Sequence, residues 1–197
     1  MRIVLATNNA KKRVELERIL AGLDVELVPM GQLGLDSPVE DGDTFEANAL
    51  IKARAASEAS GLPAIADDSG LEVDALGGAP GVISARWAGT DGDDDANNAR
   101  LVAELASVPE DRRGARFVCV AALVDPDGTE ITTRGTMEGT VRAHPTGDGG
   151  FGYDPYFVAR GNVVSNAELA PEQKDAISHR GAAFRALRPY VEALLDG

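Results

Sequence analysis

"AIADDSGLEVDALGGAPG", Ala64 to Gly81, is the stretch on which the reading of this chain turns. The apolar run Ala64-Ile65-Ala66 reads as a buried β-strand and meets two adjacent carboxylates, Asp67 and Asp68. Successive strand residues point to opposite faces, so at most one of the two acids faces a cleft squarely unless the strand stops there. Ser69-Gly70 predicts that it does stop, with a second strand-like piece and a glycine- and proline-rich loop to follow. Two accounts fit an Asp-Asp-Ser-Gly turn: ordinary turn chemistry, or a place where a cation is held.

Outward from this stretch the pattern alternates. "RIVLAT" (2–7) reads as a buried strand and "KKRVELERILAG" as an amphipathic helix ended by Gly22. "VELVPM" returns as a strand, a loop spans 31–43, and Thr44 caps the alanine-rich helix "TFEANALIKARAASEAS". "DDDANNARLVAELASV" is a further capped helix. "ARFVCVAALVD" and "TEITTRGTMEGTV" flank the turn signal "PDG" and form an antiparallel hairpin. "HPTGDGGFGYDPYF" is a glycine-rich loop entering a short strand, and "SHRGAAFRALRPYVEALLDG" closes the chain as a helix kinked at Pro189. Strand–helix alternation outside a central hairpin gives an α/β architecture, one domain over 1–197 with two lobes around a cleft.

Bulk properties narrow the partners. A net charge of −13 excludes a sequence-independent grip on a nucleic acid polymer, which needs a basic footprint. No apolar run is long enough to span a membrane, and the N-terminus reads as a strand rather than a signal peptide. The single cysteine, Cys119, forms no intramolecular disulfide and reads as a small core residue, in keeping with a cytoplasmic location. An acidic protein that binds a small anion must gather its few cations locally and recruit a metal.

Four places meet that demand. In "ATNNAKK", Thr7, Asn8, Asn9 and Ala10 join a strand to a helix N-terminus beside Lys11 and Lys12, which reads either as a phosphate cradle or as an Asn-rich cap with solvated lysines. "SHRG" (178–181), with Lys174 upstream, sets His179 and Arg180 at a second helix N-terminus, a ligand site or a surface cap. "GDGGFGYDP" lets backbone approach a ligand while Phe151 and Tyr153 offer flat rings and Asp154 an acceptor for ring N–H groups. Glu40 and Asp41, with Asp67 and Asp68, are hard oxygen donors of the kind Mg²⁺ takes, one or two at a time, while no Cys/His spacing suggests zinc. Asn48 and Lys52 lie four apart on one helix face, Lys52 either near a phosphate or in solvent, and Trp87 reads as packing or interface ahead of base stacking.

Read together, "VLATNNAKKRVEL", "TFEANALIKA", "AIADDSGLEVDALGGAPGVISARWAG", "GGFGYDPYF" and "KDAISHRG" resemble, in order and over essentially the whole length, the inosine-triphosphate pyrophosphatase family, in particular its bacterial RdgB-type members, which hydrolyse dITP, ITP and XTP. The resemblance implies two α/β lobes around a long mixed β-sheet with a central nucleotide-binding cleft, and a homodimer with the 77–87 loop at its contact. It implies that Thr7, Asn9 and Lys12, with the backbone of residues 7–12, contact triphosphate and sugar, and that Lys52 lies near the phosphates. Glu40 and Asp68 would carry Mg²⁺, Asp67 assisting, with Asp68 also the water-activating base and Ser69 touching substrate. Phe151, Gly152, Tyr153 and Asp154 match the base-binding loop, completed by Lys174, His179 and Arg180. Asn8 and Ala47 depart from the Gly and Glu common in the family.

The implied reaction is attack of water on the α-phosphorus of a nonstandard purine nucleoside triphosphate, releasing pyrophosphate and cleansing the nucleotide pool. Lys12, Lys52 and Lys174 would neutralise the triphosphate. His179 or Arg180 donating to a 6-oxo group would be left unpaired against adenine, a design that discriminates by roughly 10⁴-fold. Two alternatives are a Maf-type pyrophosphatase for other modified nucleotides and a non-catalytic nucleotide sensor.

Overall fold

The computed structural model describes residues 1–195. Six strands form one sheet in the order β2-β1-β3-β4-β5-β6, namely β1 (Arg2–Leu5), β2 (Glu26–Pro29), β3 (Ala64–Val73), β4 (Gly114–Val124), β5 (Glu130–Val141) and β6 (Phe157–Ala159). The sheet is mixed. β1 pairs in parallel with β2 and with β3, and β6 runs antiparallel to β5. Parallel neighbours need helical crossovers, which α1 (Ala10–Ile19) and α2 (Phe45–Ser60) supply. β4 and β5, adjacent and joined by the tight turn at Asp125–Thr129, form the expected hairpin.

The expected break at Ser69-Gly70 does not occur. β3 runs unbroken from Ala64 through both acids to Val73, and Asp67 and Asp68 are buried in mid-strand. The turn propensity of Ser-Gly is overridden because both flanks are apolar and buried, so the segment gains more from sheet pairing than from turning.

The chain divides into two compact units. The first comprises Met1–Asp68, Cys119–Gly135 and the chain from Arg180 onward, with α5 (His179–Ala193) entering it. Its core sets Ile3, Leu5 and Ile65 of the strands against Leu16 of α1, Leu20 at its C-cap, and Phe184, Leu187 and Val191 of α5. α2 starts on the Thr44 hydroxyl, which accepts from Ala47 N at 3.1 Å, and ends at Gly61 in the left-handed region at φ 66°. Its buried face is Phe45, Ala49, Ala53 and Ala56, interrupted by the polar residues Asn48, Lys52 and Ser57.

The second unit comprises Ser69–Val118 and Thr136–His179. Leu71, Trp87, Leu101, Phe117, Tyr153 and Phe157 share its core, which bears out a packing role for Trp87. α3 (Asp94–Glu104) begins on Asp93, whose carboxylate accepts from Ala96 N at 3.0 Å, and α4 (Pro171–Ile177) is a short separate helix that carries Lys174. Among the described residues no helix is long and apolar enough to cross a membrane.

Candidate active site

Alternation along β3 sends the two acids of the first unit to different partners. Oδ2 of Asp67 accepts from Lys12 Nζ at 3.2 Å, from Arg180 Nη2 at 3.2 Å and Nε at 3.3 Å, and from the Cys119 thiol at 3.8 Å. Its Oδ1 is buried with no hydrogen-bond partner among the described residues. Burial alone would raise the Asp67 pKa, but Lys12, Arg180 and Lys52 outweigh it and hold the carboxyl well below the usual range. Arg180 is buried too, and donates Nη1 to Glu15 of α1. Burial works against its charge, and Asp67 and Glu15 more than compensate. Cys119 is buried as expected, but as a donor to Asp67; burial and that carboxylate push its thiol up.

Asp68 meets α2 instead. Asn48 Nδ2 donates to its Oδ2 at 3.1 Å, and the Lys52 ammonium lies 3.5 Å from its Oδ1 and 2.7 Å from Oε2 of Glu40. Lys52 is therefore not a solvated lysine: it is buried, and Asp68, Asp67 and Glu40 hold its pKa up against desolvation. Asp68 moves the other way from Asp67. Its burial is only partly offset by Lys52, Lys12 and Asn48, which leaves its pKa raised. One strand thus presents a firmly ionised carboxylate followed by one that holds its proton more readily, the property asked of a base.

The loop after β1 starts near these acids because β1 ends at Leu5, which pairs with Ile65 two residues before Asp67. A pocket of about 210 Å³ is lined by Thr7, Asn8, Asn9, Ala10, Arg13, Pro29, Gly31 and Gln32. Asn9 caps α1, accepting from Lys11 N at 3.0 Å and Lys12 N at 3.1 Å. Two of the helix N–H groups expected to face an anion are therefore satisfied within the chain. The Thr7 hydroxyl accepts from Asn9 N at 3.2 Å, and Lys11 is exposed.

The second unit builds the other set of expected residues. Asp154, buried at the end of the glycine-rich loop, accepts from Phe151 N at 2.8 Å, Asn166 Nδ2 at 3.2 Å and Lys174 Nζ at 2.5 Å. Lys174 also stands over the Phe151 ring, 4.8 Å from its centroid. Tyr153 is buried and donates its hydroxyl to Ser84 O at 2.8 Å, and that burial pushes the phenol up. His179 stacks on Phe117 with ring centroids 4.8 Å apart and planes at 12°. Ser69 is half-buried in β3. Gly150 takes φ +68° with Asp154 Oδ2 only 2.2 Å from where a Cβ would stand, so only glycine lets the loop fold onto that carboxylate.

Sequence reasoning missed Glu15, Asp94, Asn98 and Asn166. Glu15 and Asn166 are polar residues embedded in apolar or loop contexts with no spacing signal of their own. Asp94 and Asn98 did carry one, a four-residue spacing at a helix start.

The sequence profile of the Ham1 family matches residues 3–190. The chain belongs to the Ham1 family. Two bacterial dITP/XTP pyrophosphatases align along its length. That of Nocardia farcinica is 56% identical, covering 99% of this chain and 97% of that protein. That of Cutibacterium acnes is 54% identical, covering 100% and 98%. A HAM1 protein from Coxiella burnetii superposes with a TM-score of 0.88 at 39% identity, covering 97% of this chain and 98% of the other. A nucleoside-triphosphatase, or dITP/XTP pyrophosphatase, from Mycobacterium abscessus superposes with a TM-score of 0.78 at 51% identity, covering 97% and 100%.

Two features set this Ham1 chain apart from the expected pattern, and both are accommodated locally. Asn8 donates Nδ2 to the Ser37 hydroxyl at 2.8 Å, and no non-glycine residue described has a positive φ, so the loop does not require glycine there. Ala47 lies against Gly42: a Cβ on that glycine would stand 2.7 Å from the Ala47 methyl, so the 40–43 segment packs closely on the start of α2.

Proposed function

We propose that the chain is a dITP/XTP pyrophosphatase that hydrolyses nonstandard purine nucleoside triphosphates to the monophosphate and pyrophosphate. The observation that carries this is the pairing of Asp68, buried and raised, with a Lys52 ammonium shared between it and Glu40. Full-length similarity to proteins of that name supports the substrate class.

In this reading Asp68 takes the proton of the attacking water as general base, in line with its raised pKa. Asn48 fixes the Asp68 carboxylate by its 3.1 Å bond. Lys12 and Lys52 bring positive charge to the triphosphate end, and Thr7, Asn8, Asn9 and Ala10 line a pocket at the start of α1. Phe151 and its stacked Lys174 offer the purine a flat surface, and His179 reads the 6-oxo edge. Arg180 serves by positioning Asp67 and Glu15, since its guanidinium is turned onto both.

The donor set fits a divalent cation. Glu40 and Asp68 already converge on one positive charge, the Lys52 ammonium, through hard oxygen atoms. Among the described residues no group of three or more acids, histidines or cysteines forms a metal cage, and Mg²⁺ asks for only one or two carboxylates. Glu40 and Asp68 would hold it. The chemistry such an ion supplies when bound is neutralisation of phosphate charge and Lewis acidity toward water. A cytoplasmic setting suits the single buried thiol, and the homodimer implied by the family resemblance is testable by sedimentation.

The deciding experiment is pyrophosphate release from dITP, XTP, dATP, dGTP and dTTP with Mg²⁺, then with EDTA. Release from dITP and XTP alone, abolished by EDTA and by Asp68→Asn with nucleotide binding retained, is the expected result. Equal turnover of all five sinks the purine-edge reading, and no turnover of any makes the chain a binding protein.

A further inference from the structure

Gly152 sits in the loop proposed to read the base, and α3 takes hold of both polar groups of its backbone. Its N–H donates to Asp94 Oδ2 at 3.0 Å and its carbonyl accepts from Asn98 Nδ2 at 2.9 Å. Asp94 and Asn98 are four apart, so both side chains leave the helix on one face. Gly152 itself has φ +61°, and nothing lies within 4 Å of where its Cβ would stand. The residue therefore presents a bare Cα face while its peptide groups are fixed from behind. Immediately before it, Phe151 N is held by Asp154, and immediately after it, Tyr153 is anchored by its hydroxyl to Ser84 O.

Asn98 makes the case more specific. It is 9% exposed, and its Oδ1 is buried with no hydrogen-bond partner among the described residues. A buried unsatisfied acceptor is destabilising, and an apolar residue of similar size would avoid it. The amide is accounted for by the one bond it donates. Asp94 has an ordinary helical use as well, since an acid in the first turn favours the helix dipole, so the two uses must be separated by experiment.

We propose that Asp94 and Asn98 are positioning residues that hold the Gly152 peptide in one orientation, so that the Phe151–Asp154 segment is a preformed surface for the purine. This rests on the assignment of that loop under "Proposed function". A ring lying over Gly152 then meets a fixed plane, and discrimination among purines depends on how rigidly that plane is held.

The test uses the full chain with Mg²⁺ and dITP, XTP and dGTP as substrates, in wild type, Asp94→Ala, Asp94→Asn, Asn98→Ala and Asn98→Asp. Asp94→Asn keeps an acceptor for Gly152 N and removes only the charge, so it retains wild-type KM. Asp94→Ala and Asn98→Ala raise KM for dITP and XTP by about tenfold with kcat little changed, the loss of one oriented hydrogen bond. Asn98→Asp, which sets a carboxylate against the Gly152 carbonyl, does the same. Inhibition by pyrophosphate, which has no base to place, is unchanged. A fall of kcat and KM alike for every substrate, tracking thermal stability, would make the two residues merely structural and overturn the proposal. Hydrogen exchange on the free protein supplies an arm that needs no turnover: the Gly152 amide is protected in wild type and in Asp94→Asn, and exchanges fast in Asp94→Ala. Equal protection in all of them also overturns it. A wild type that hydrolyses none of the triphosphates removes the pyrophosphatase reading, and the exchange result still decides whether α3 holds the loop.

Discussion

Replacing Arg180 with methionine separates two roles that the sequence leaves open for this residue. As a reader of the purine edge it would be needed for KM and dispensable for stability. In the structure it is 2% exposed and divides its guanidinium between Asp67 and Glu15, two carboxylates that are themselves buried. Removing it leaves Asp67 with Lys12 as its remaining close cation, at 3.2 Å, and takes the guanidinium from Glu15. Breaking a buried pair by removing one partner costs about 3–5 kcal/mol, because the stranded charge keeps its desolvation penalty. For a chain of this size that lowers Tm by about 6–20 °C.

The assay is thermal unfolding by far-ultraviolet circular dichroism in EDTA, near neutral pH. The double variant Arg180→Met/Asp67→Asn neutralises one of the two acids that lose the guanidinium and recovers part of the loss, with a coupling of about 0.5–3 kcal/mol. Arg180→Lys retains charge but has no fork to reach both acids, so it falls between wild type and Arg180→Met. An Arg180→Met protein that melts within about 2 °C of wild type but needs far more dITP for half-maximal rate would refute the reasoning and restore Arg180 to the substrate.

The same cluster yields two more predictions. Lys12 and Arg180 depress the Asp67 pKa despite burial, so its contribution to stability is complete above the unfolded value of about 4 and lost as pH falls below it; Tm against pH, measured in EDTA, drops less steeply in acid for Asp67→Asn than for wild type, and identical slopes would count against the network. Burial and the neighbouring Asp67 carboxylate push the Cys119 thiol up, so it stays unreactive toward a disulfide reagent at mildly alkaline pH and titrates only on unfolding; rapid native labelling would contradict this placement.

How much of this was legible beforehand depends on which force decided each residue. The alternation of strands and helices, the Thr44 cap and the hairpin around "PDG" follow from local propensity and periodicity, and the structure has them all. The Ser69-Gly70 turn failed because a two-residue preference cannot outweigh pairing along ten residues of β3. Lys52 was the clearest signal that went underused. A helix face made of Phe45, Ala49, Ala53 and Ala56 has no packing reason to admit Asn48 and Lys52, and a polar pair on such a face implies buried partners. The acids of β3 are those partners for Lys52 and Asn48, by way of Asp68. Glu15 and Arg180, 165 residues apart, meet only through tertiary packing, and nothing local predicts their pairing. The paired aspartates therefore mark neither a strand end nor a simple acidic site. Each acid owes its opposite pKa shift to the face of β3 on which alternation places it, one toward Lys12 and Arg180, the other toward α2. Shifting the strand register by one residue would exchange those faces and with them the directions of the two shifts.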